Sequence, residues 1–411
     1  MFLYIDPGTG SMLFSILIGV VSTAFFFGRQ LFLKLKFIIN GGKSEQISNT
    51  RLPIVIFSDH KRYWNVFKPI CEELENRKIN AVLWTASPDD PALSQNYKFV
   101  KCEFIGEGNK PFSKLNMLNA EIVLATTPGL NVYQWKKSKN VGLYVHIFHE
   151  VGEPMTYRMF GLDYYDAILL SGDFQADYIK YIENKRNLKS KELTTVGCTY
   201  FDEIKKRLNN SSVEKNSKRT ILLAPSWGST AILSKFGEKI IDALISTGFN
   251  IIIRPHPQSK SSEKELLDSL MTKYPDSETL HWNFDNDNFD VLNKSDILIS
   301  DFSGVIFDFA LCFDKPIIYA DTNFDSSAYD AAWLEESEEL WRFKVLPELG
   351  IPLKEEDFSE IKTIIENLIT DEKYAEGRER VRNEAWQNKG NSAAAIVDYL
   401  EKKLEENGGN K

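Results

Sequence analysis

The sequence predicts an α/β protein of two doubly wound domains carried behind one N-terminal membrane-spanning helix. Three observations predict it. Apolar, β-branched runs alternate with helical spacing in two successive series, the pattern of parallel sheets wrapped by helices. Two runs of the second series, IIIRPHP (residues 251–257) and SDILISDFSGVIFDFAL (residues 295–311), end abruptly in polar residues, as buried strands do where they deliver side chains to the carboxyl edge of a sheet. At the other end of the chain, residues 7–28 hold no charged side chain.

That uncharged run comes first in the chain. Its segment SMLFSILIGVVSTAFFFG is long enough to cross a bilayer as a helix, which takes about 20 residues. A secretory signal carries its positive charge before the apolar run; here Asp6 precedes it, and Arg29, Lys34, Lys36 and Lys43 follow. Residues 1–40 are therefore expected to form a single-pass anchor in the cell membrane, with the remainder of the chain in the cytoplasm; an amphipathic or buried helix is the alternative, since Ser15, Ser22 and Thr23 dilute the apolarity and LFLKLKF continues it.

The first series runs over residues 51–208. LPIVIFSD reads as a buried strand, VFKPICEELENRKI as a helix and AVLWTA as a strand; EIVLATTPGL, VGLYVHIFHE and YDAILLSG add three strand-then-loop units. NNSSVEKNSK (residues 209–218) is polar and turn-rich, and it separates the series as a linker. The second series occupies residues 219–370, with TILLAPSWGS, the helix FGEKIIDALISTG, and the strands NIIIRPHP, DILISDFSG and KPIIYAD. Residues 371–411 read as a charged helical segment and tail. Two facing Rossmann-like domains with a cleft between them are the simplest packing of this order, and open α/β sheets bind ligands at the carboxyl ends of their strands.

Composition narrows the ligand. A net charge of −9 over 411 residues argues against a nucleic-acid surface, which needs clustered Lys and Arg. Cys71, Cys102, Cys198 and Cys312 are scattered, with neither a paired Cys motif nor His at metal-ligand spacing. DNDN (residues 285–288) superficially offers a metal-binding acid pair, but its flanks do not place it at a buried strand end, so its acids read as a loop and helix start. Phosphate-binding Gly-rich loops with Lys and the GxSxG elbow are both absent from the sequence.

Candidate site residues gather at the strand ends. His149 follows the strand VGLYVHIF, where an imidazole of ordinary pKa, about 6.5, suits a general base. His146 alternates to the side opposite Val145 and Ile147, as a packed residue or one that supports the site from behind. Glu150 and Glu153 flank His149, either to orient the imidazole or as solvated loop acids. His256 lies between two prolines that fix the backbone, with Arg254 on the same face of the strand. Asp301 reads as a positioning group or an acceptor for sugar hydroxyls. Ser303 and Gly304 precede a helical run and form an anion cradle, although ordinary helix capping also explains Ser303. Pro225, Ser226 and Trp227 close the first strand of the second series, Trp227 either stacking on a ligand or packing.

TVGCTYFDEI, LLAPSWGS, IIIRPHP and SDFSGVIFDF, taken in that order, resemble the CDP-glycerol glycerophosphotransferases, the teichoic acid primases and polymerases of the GT-B fold. The opening YIDPGTGSM resembles the N-terminus of various bacterial envelope polysaccharide proteins. The resemblance implies a CDP-alditol donor, carrying glycerol phosphate or ribitol phosphate, and a metal-independent transfer without a cofactor. It implies His149 as the base and His256 as the group that binds the diphosphate or assists the departing CMP. A lipid-linked acceptor is expected from an active site held near the bilayer. Two departures from the family pattern stand out: Glu150 where the first-domain motif has Gly, and Gly304 where a second Ser is usual. They leave open a sugar-nucleotide glycosyltransferase or a non-catalytic scaffold built on a degenerate transferase domain.

Overall fold

A computed structural model describes residues 51–211, 218–320, 324–335 and 339–408. The predicted membrane span lies outside the described residues, and among the described residues no helix is long and apolar enough to cross a membrane.

Among the described residues thirteen strands form two entirely parallel sheets. The first lobe holds β1 (Leu52–Ser58), β2 (Ala81–Thr85), β3 (Val100–Phe104), β4 (Ala120–Ala125), β5 (Val141–Ile147), β6 (Ala167–Leu170) and β7 (Glu192–Thr195). The second holds β8 (Thr220–Leu223), β9 (Asn250–Ile253), β10 (Leu280–Trp282), β11 (Ile297–Ser300), β12 (Ile317–Ala320) and β13 (Gly350–Leu353). Their orders are β3-β2-β1-β4-β5-β6-β7 and β10-β9-β8-β11-β12-β13. Each sheet thus starts at a central strand, winds outward, and returns to wind the other way. The reversal falls between β1 and β4 in one lobe and between β8 and β11 in the other, and a crevice opens at such a point.

The apolar runs explain these strands. Ile56 is in register with Leu83 on one side and Leu124 on the other, and all three are fully buried because helices cover both faces. The helix Trp64–Asn76 buries Trp64, Val66, Phe67, Ile70, Cys71 and Leu74, the spacing of one helical face, and the chain turns out of it through Lys78 in a left-handed conformation. Deleting a side chain such as Phe67, which is 0% exposed, would cost about 3–5 kcal/mol.

The structure adds four strands that the sequence reading lacks: β3, β7, β10 and β13, which are the four sheet edges. The helix Thr199–Asn210 also runs into the segment expected to be a linker; residues 212–217 of that segment lie outside the described residues. The last helix, Ser392–Gly408, crosses back to the first lobe, where Ile396, Val397 and Leu400 pack with Ile54 and Phe67.

Candidate active site

The carboxyl ends of both sheets open onto one cleft of about 410 Å³, lined from the first lobe by Arg62, Tyr63, His149 and Glu150 and from the second by Pro225, Arg254, His256, Ser303, Gly304 and Asp308. A wider opening of about 830 Å³ lies away from the strand ends, beside Lys205, Arg382 and Trp386. Its acids are already engaged: Asp202 accepts from Trp386 and Ser392, and Asp314 pairs with Arg378 and Arg382. His149, His256 and Ser303, which the sequence singles out, line the smaller cleft.

His149 leaves β5 and turns its Nδ1 to Thr126 Oγ1, 3.0 Å away on the loop after β4. Its ring packs between Tyr63, centroids 4.9 Å apart, and Tyr157, stacked at 6.1 Å. Burial lowers its pKa, against the opposing pull of the Glu150 and Asp59 carboxylates, so the ring is neutral and able to take a proton. His146 is placed differently. It is 0% exposed, lies behind the cleft wall, and meets the Tyr157 hydroxyl at 3.3 Å through Nε2. Tyr157 thus touches both rings, stacking on His149 and meeting His146 through its hydroxyl.

Neither flanking acid orients His149, as the sequence reading allowed; Thr126 holds that nitrogen. Glu153 is buried and bound by Arg342, which donates from Nε at 2.7 Å and from its backbone N–H at 3.2 Å. Arg342 stands at the start of the helix Trp341–Leu349 and also donates to Phe302 O at 2.9 Å and to Thr156 Oγ1 at 3.0 Å. This guanidinium therefore ties the loop after β5 to the loop after β11. Glu150 remains in the cleft, 3.7 Å from Arg342 Nη2.

In the second lobe, His256 accepts a hydrogen bond from the Gln258 backbone N–H at Nδ1, 3.1 Å long. The ring proton is thereby fixed on Nε2. Burial first, and then the Arg62 charge, push its pKa down to about 4, so it donates as a neutral imidazole. Trp227 lies 6.4 Å from this ring, centroid to centroid. Arg254 lines the cleft but spends its guanidinium on Asn283 and on Asp285 O.

Asp301 is turned inward. It is 2% exposed and accepts from the backbone N–H groups of Ser226 at 2.8 Å, Ile232 at 3.0 Å and Phe302 at 2.8 Å. It stitches the loop after β8 to β11, which sets Pro225 against the cleft; Ser226 takes part through its backbone. Gly304, rather than Ser303, holds the capping position of the short helix that follows, and the Ser303 hydroxyl bonds no described residue. Asp287 of the DNDN segment caps Phe289 at 2.9 Å and pairs with Arg207 at 2.6 Å.

The sequence reading passed over Arg62 and Asp308. Arg62 follows β1 and makes no ion pair with any described residue, leaving its charge to the cleft. Asp308 is buried beside Tyr200, whose hydroxyl donates to it at 3.2 Å, and near Asn288 at 3.4 Å. Burial, with the Glu150 carboxylate nearby, raises its pKa to about 7.

The two departures from the family pattern touch. An ideal Cβ on residue 304 would stand 2.1 Å from Glu150 Oε2, the movable end of that side chain, so the acid as placed occupies the space a side chain at 304 would take.

Residues 178–402, just over half of the chain, match the family described as CDP-glycerol:poly(glycerophosphate) glycerophosphotransferase. Over 175 residues the chain is 28% identical to the teichoic acid glycerol-phosphate primase of Bacillus spizizenii, a match spanning 40% of this chain and 42% of that protein. In fold it is similar to a solved structure of the wall teichoic acid polymerase TagF soaked with CDPG, at 16% identity and a TM-score of 0.56 over 92% of this chain and 98% of that one. A putative UDP-N-acetylglucosamine 2-epimerase from Listeria monocytogenes is similar in fold as well, at 14% identity and a TM-score of 0.56 over 87% of this chain and 98% of that one. The shared architecture is the GT-B-like pair of parallel-sheet lobes.

Proposed function

This chain belongs to the CDP-glycerol:poly(glycerophosphate) glycerophosphotransferase family of transferases, and from that premise we propose a reaction for its cleft. CDP-glycerol lies with its diphosphate against His256 and Ser303. A hydroxyl of the acceptor, deprotonated by His149, attacks the β-phosphorus in line; the new P–O bond forms as the bond to CMP breaks. The proton passes to His149 Nε2, and the negative charge leaves on the CMP phosphate, met by the Nε2–H of His256 and by Arg62.

One observation carries this reading: His149 from one lobe and His256 and Ser303 from the other line a single cleft at the carboxyl ends of both sheets. The tautomers suit the roles. His256 presents a fixed donor, and the bond between Thr126 and Nδ1 of His149 leaves Nε2 to face the acceptor.

The product is a phosphodiester in a teichoic acid-like or capsular polymer. A membrane anchor at residues 1–40 would hold the cytoplasmic site beside a lipid-linked acceptor. The charge asymmetry around the uncharged run supports that placement. Purified protein incubated with labelled CDP-glycerol, CDP-ribitol and UDP-sugars tests the donor: release of CMP supports the reading, and release of UMP or UDP with never any CMP refutes it.

A further inference from the structure

Tyr157 stands behind the proposed base. Its ring stacks on His149 at 6.1 Å and on Phe148 at 5.8 Å, and its hydroxyl meets His146. Its backbone is held from the other lobe. The segment 324–335, which follows β12, lies along residues 157–160 of the first lobe. Asp330 N–H donates to Tyr157 O at 2.9 Å, Met159 N–H donates to Ala328 O at 3.2 Å, and Arg158 forms an antiparallel bridge with Tyr329. The Asp330 carboxylate, 4% exposed, fastens the same turn by accepting from Phe160 N–H at 2.8 Å.

Arg186, the last residue of the helix Phe174–Arg186, pins that carboxylate. Its guanidinium donates to Asp330 and, at 2.7 Å, to Asp163, and lies 4.7 Å from the Phe160 ring and 4.9 Å from the Trp333 ring. A guanidinium shared between two carboxylates and two aromatic faces has little freedom to move. The segment also reaches the donor side: Phe324 packs against Tyr329 at 5.2 Å and against Phe302, the neighbour of Ser303, at 5.4 Å. The turn that carries the ring behind His149 is thus fixed by a segment of the lobe proposed to hold the donor.

We infer that Asp330 is a positioning residue for the base: by fastening the turn at 157–160 it keeps the Tyr157 ring against His149, so the imidazole is aligned only while the second lobe is docked on the first. The assignment rests on His149 acting as proposed above. A misplacement of about 1 Å at a reacting group costs roughly a hundredfold in rate, which sets the scale of the effect.

A double-mutant cycle read in single turnover tests it, with the full chain in excess over labelled CDP-glycerol and an alkyl glycerol phosphate as acceptor. Under those conditions the rate constant does not depend on the fraction of chains that fold. Asp330→Ala is expected to slow CMP release about ten- to hundredfold and to leave the dissociation constant for CDP-glycerol within about twofold. Asp330→Asn keeps an oxygen for the Phe160 N–H and for Arg186, and it should restore most of the rate. In the His149→Ala protein the same Asp330→Ala change is expected to add less than about twofold, because the group it aligns is gone. Equal slowing in both backgrounds, or a wild-type rate in Asp330→Ala, overturns the assignment. Should Asp330→Ala fail to fold, Trp333→Ala, which frees one face of Arg186 at a site 38% exposed, takes its place in the cycle with an expected slowing of about threefold or more, and the same two results overturn the assignment. No CMP from wild type, or CMP at the wild-type rate from His149→Ala, removes the reading beneath the assignment whatever Asp330 does.

Discussion

Thr126 Oγ1 stands 3.0 Å from His149 Nδ1, joining the loop after β4 to the loop after β5 at the mouth of the cleft. A base needs its second nitrogen held as firmly as its first is free. Thr126→Ala is expected to lower kcat roughly ten- to hundredfold, a fraction of the ~10²–10⁴ a positioned base supplies, with little change in the KM for donor. Thr126→Ser keeps the hydroxyl and should restore most of the rate. A steady-state comparison of the three proteins checks this, and a loss confined to KM would assign Thr126 to binding instead.

His256 is expected to titrate at about pH 4 in protein without added donor. Histidine NMR across a pH series measures it, and CDP-glycerol should move the value upward because an anion stabilises the imidazolium. The folded value lies below the ordinary one. The stability this ring contributes is therefore full above about pH 6.5 and is lost as the pH falls through about 4.

Asp308 titrates the other way. Its folded pKa of about 7 lies above the ordinary carboxyl value, so its contribution to stability is complete below about pH 4 and disappears as the pH rises through about 7. Urea unfolding of wild type and Asp308→Asn at pH 5 and pH 8 should show wild type losing more stability than the variant over that interval. Equal losses would mean that the carboxyl is already ionised at pH 5.

Arg342 and Glu153 form a buried pair linking the lobes, with side chains 7% and 0% exposed. Removing one partner strands a charge, so Arg342→Ala is expected to cost about 3–5 kcal/mol in chemical unfolding. The double change Arg342→Met with Glu153→Leu should recover most of it, since replacing both charges leaves none unpaired. A double variant as unstable as the single one would locate the loss in packing or in the bonds to Phe302 and Thr156.

The central strands were legible in the sequence because burial on both faces makes them continuous apolar runs, as in β1, β4, β8 and β11. The edge strands were not. β7 is ELTT, partly exposed throughout, and β13 carries Pro352, which an edge tolerates because it has no N–H to offer. His149, His256 and Ser303 stood out because each follows such a run. Arg62 had a similar signal, four residues past the end of β1, and Asp308 another, as the one charged residue in the apolar run at 305–311. The contacts between Glu150 and Gly304 and between Glu153 and Arg342 join residues distant in sequence, and local periodicity carries no information about such pairs.

The proposed reaction rests on two imidazoles acting from opposite lobes. Rapid-quench measurement of CMP release in a single turnover with labelled CDP-glycerol and acceptor tests that most directly. His149→Ala and His256→Ala are each expected to slow release at least about a hundredfold, with labelled glycerol phosphate reaching the acceptor in wild type alone on that timescale. Release at the wild-type rate in both variants would contradict the account.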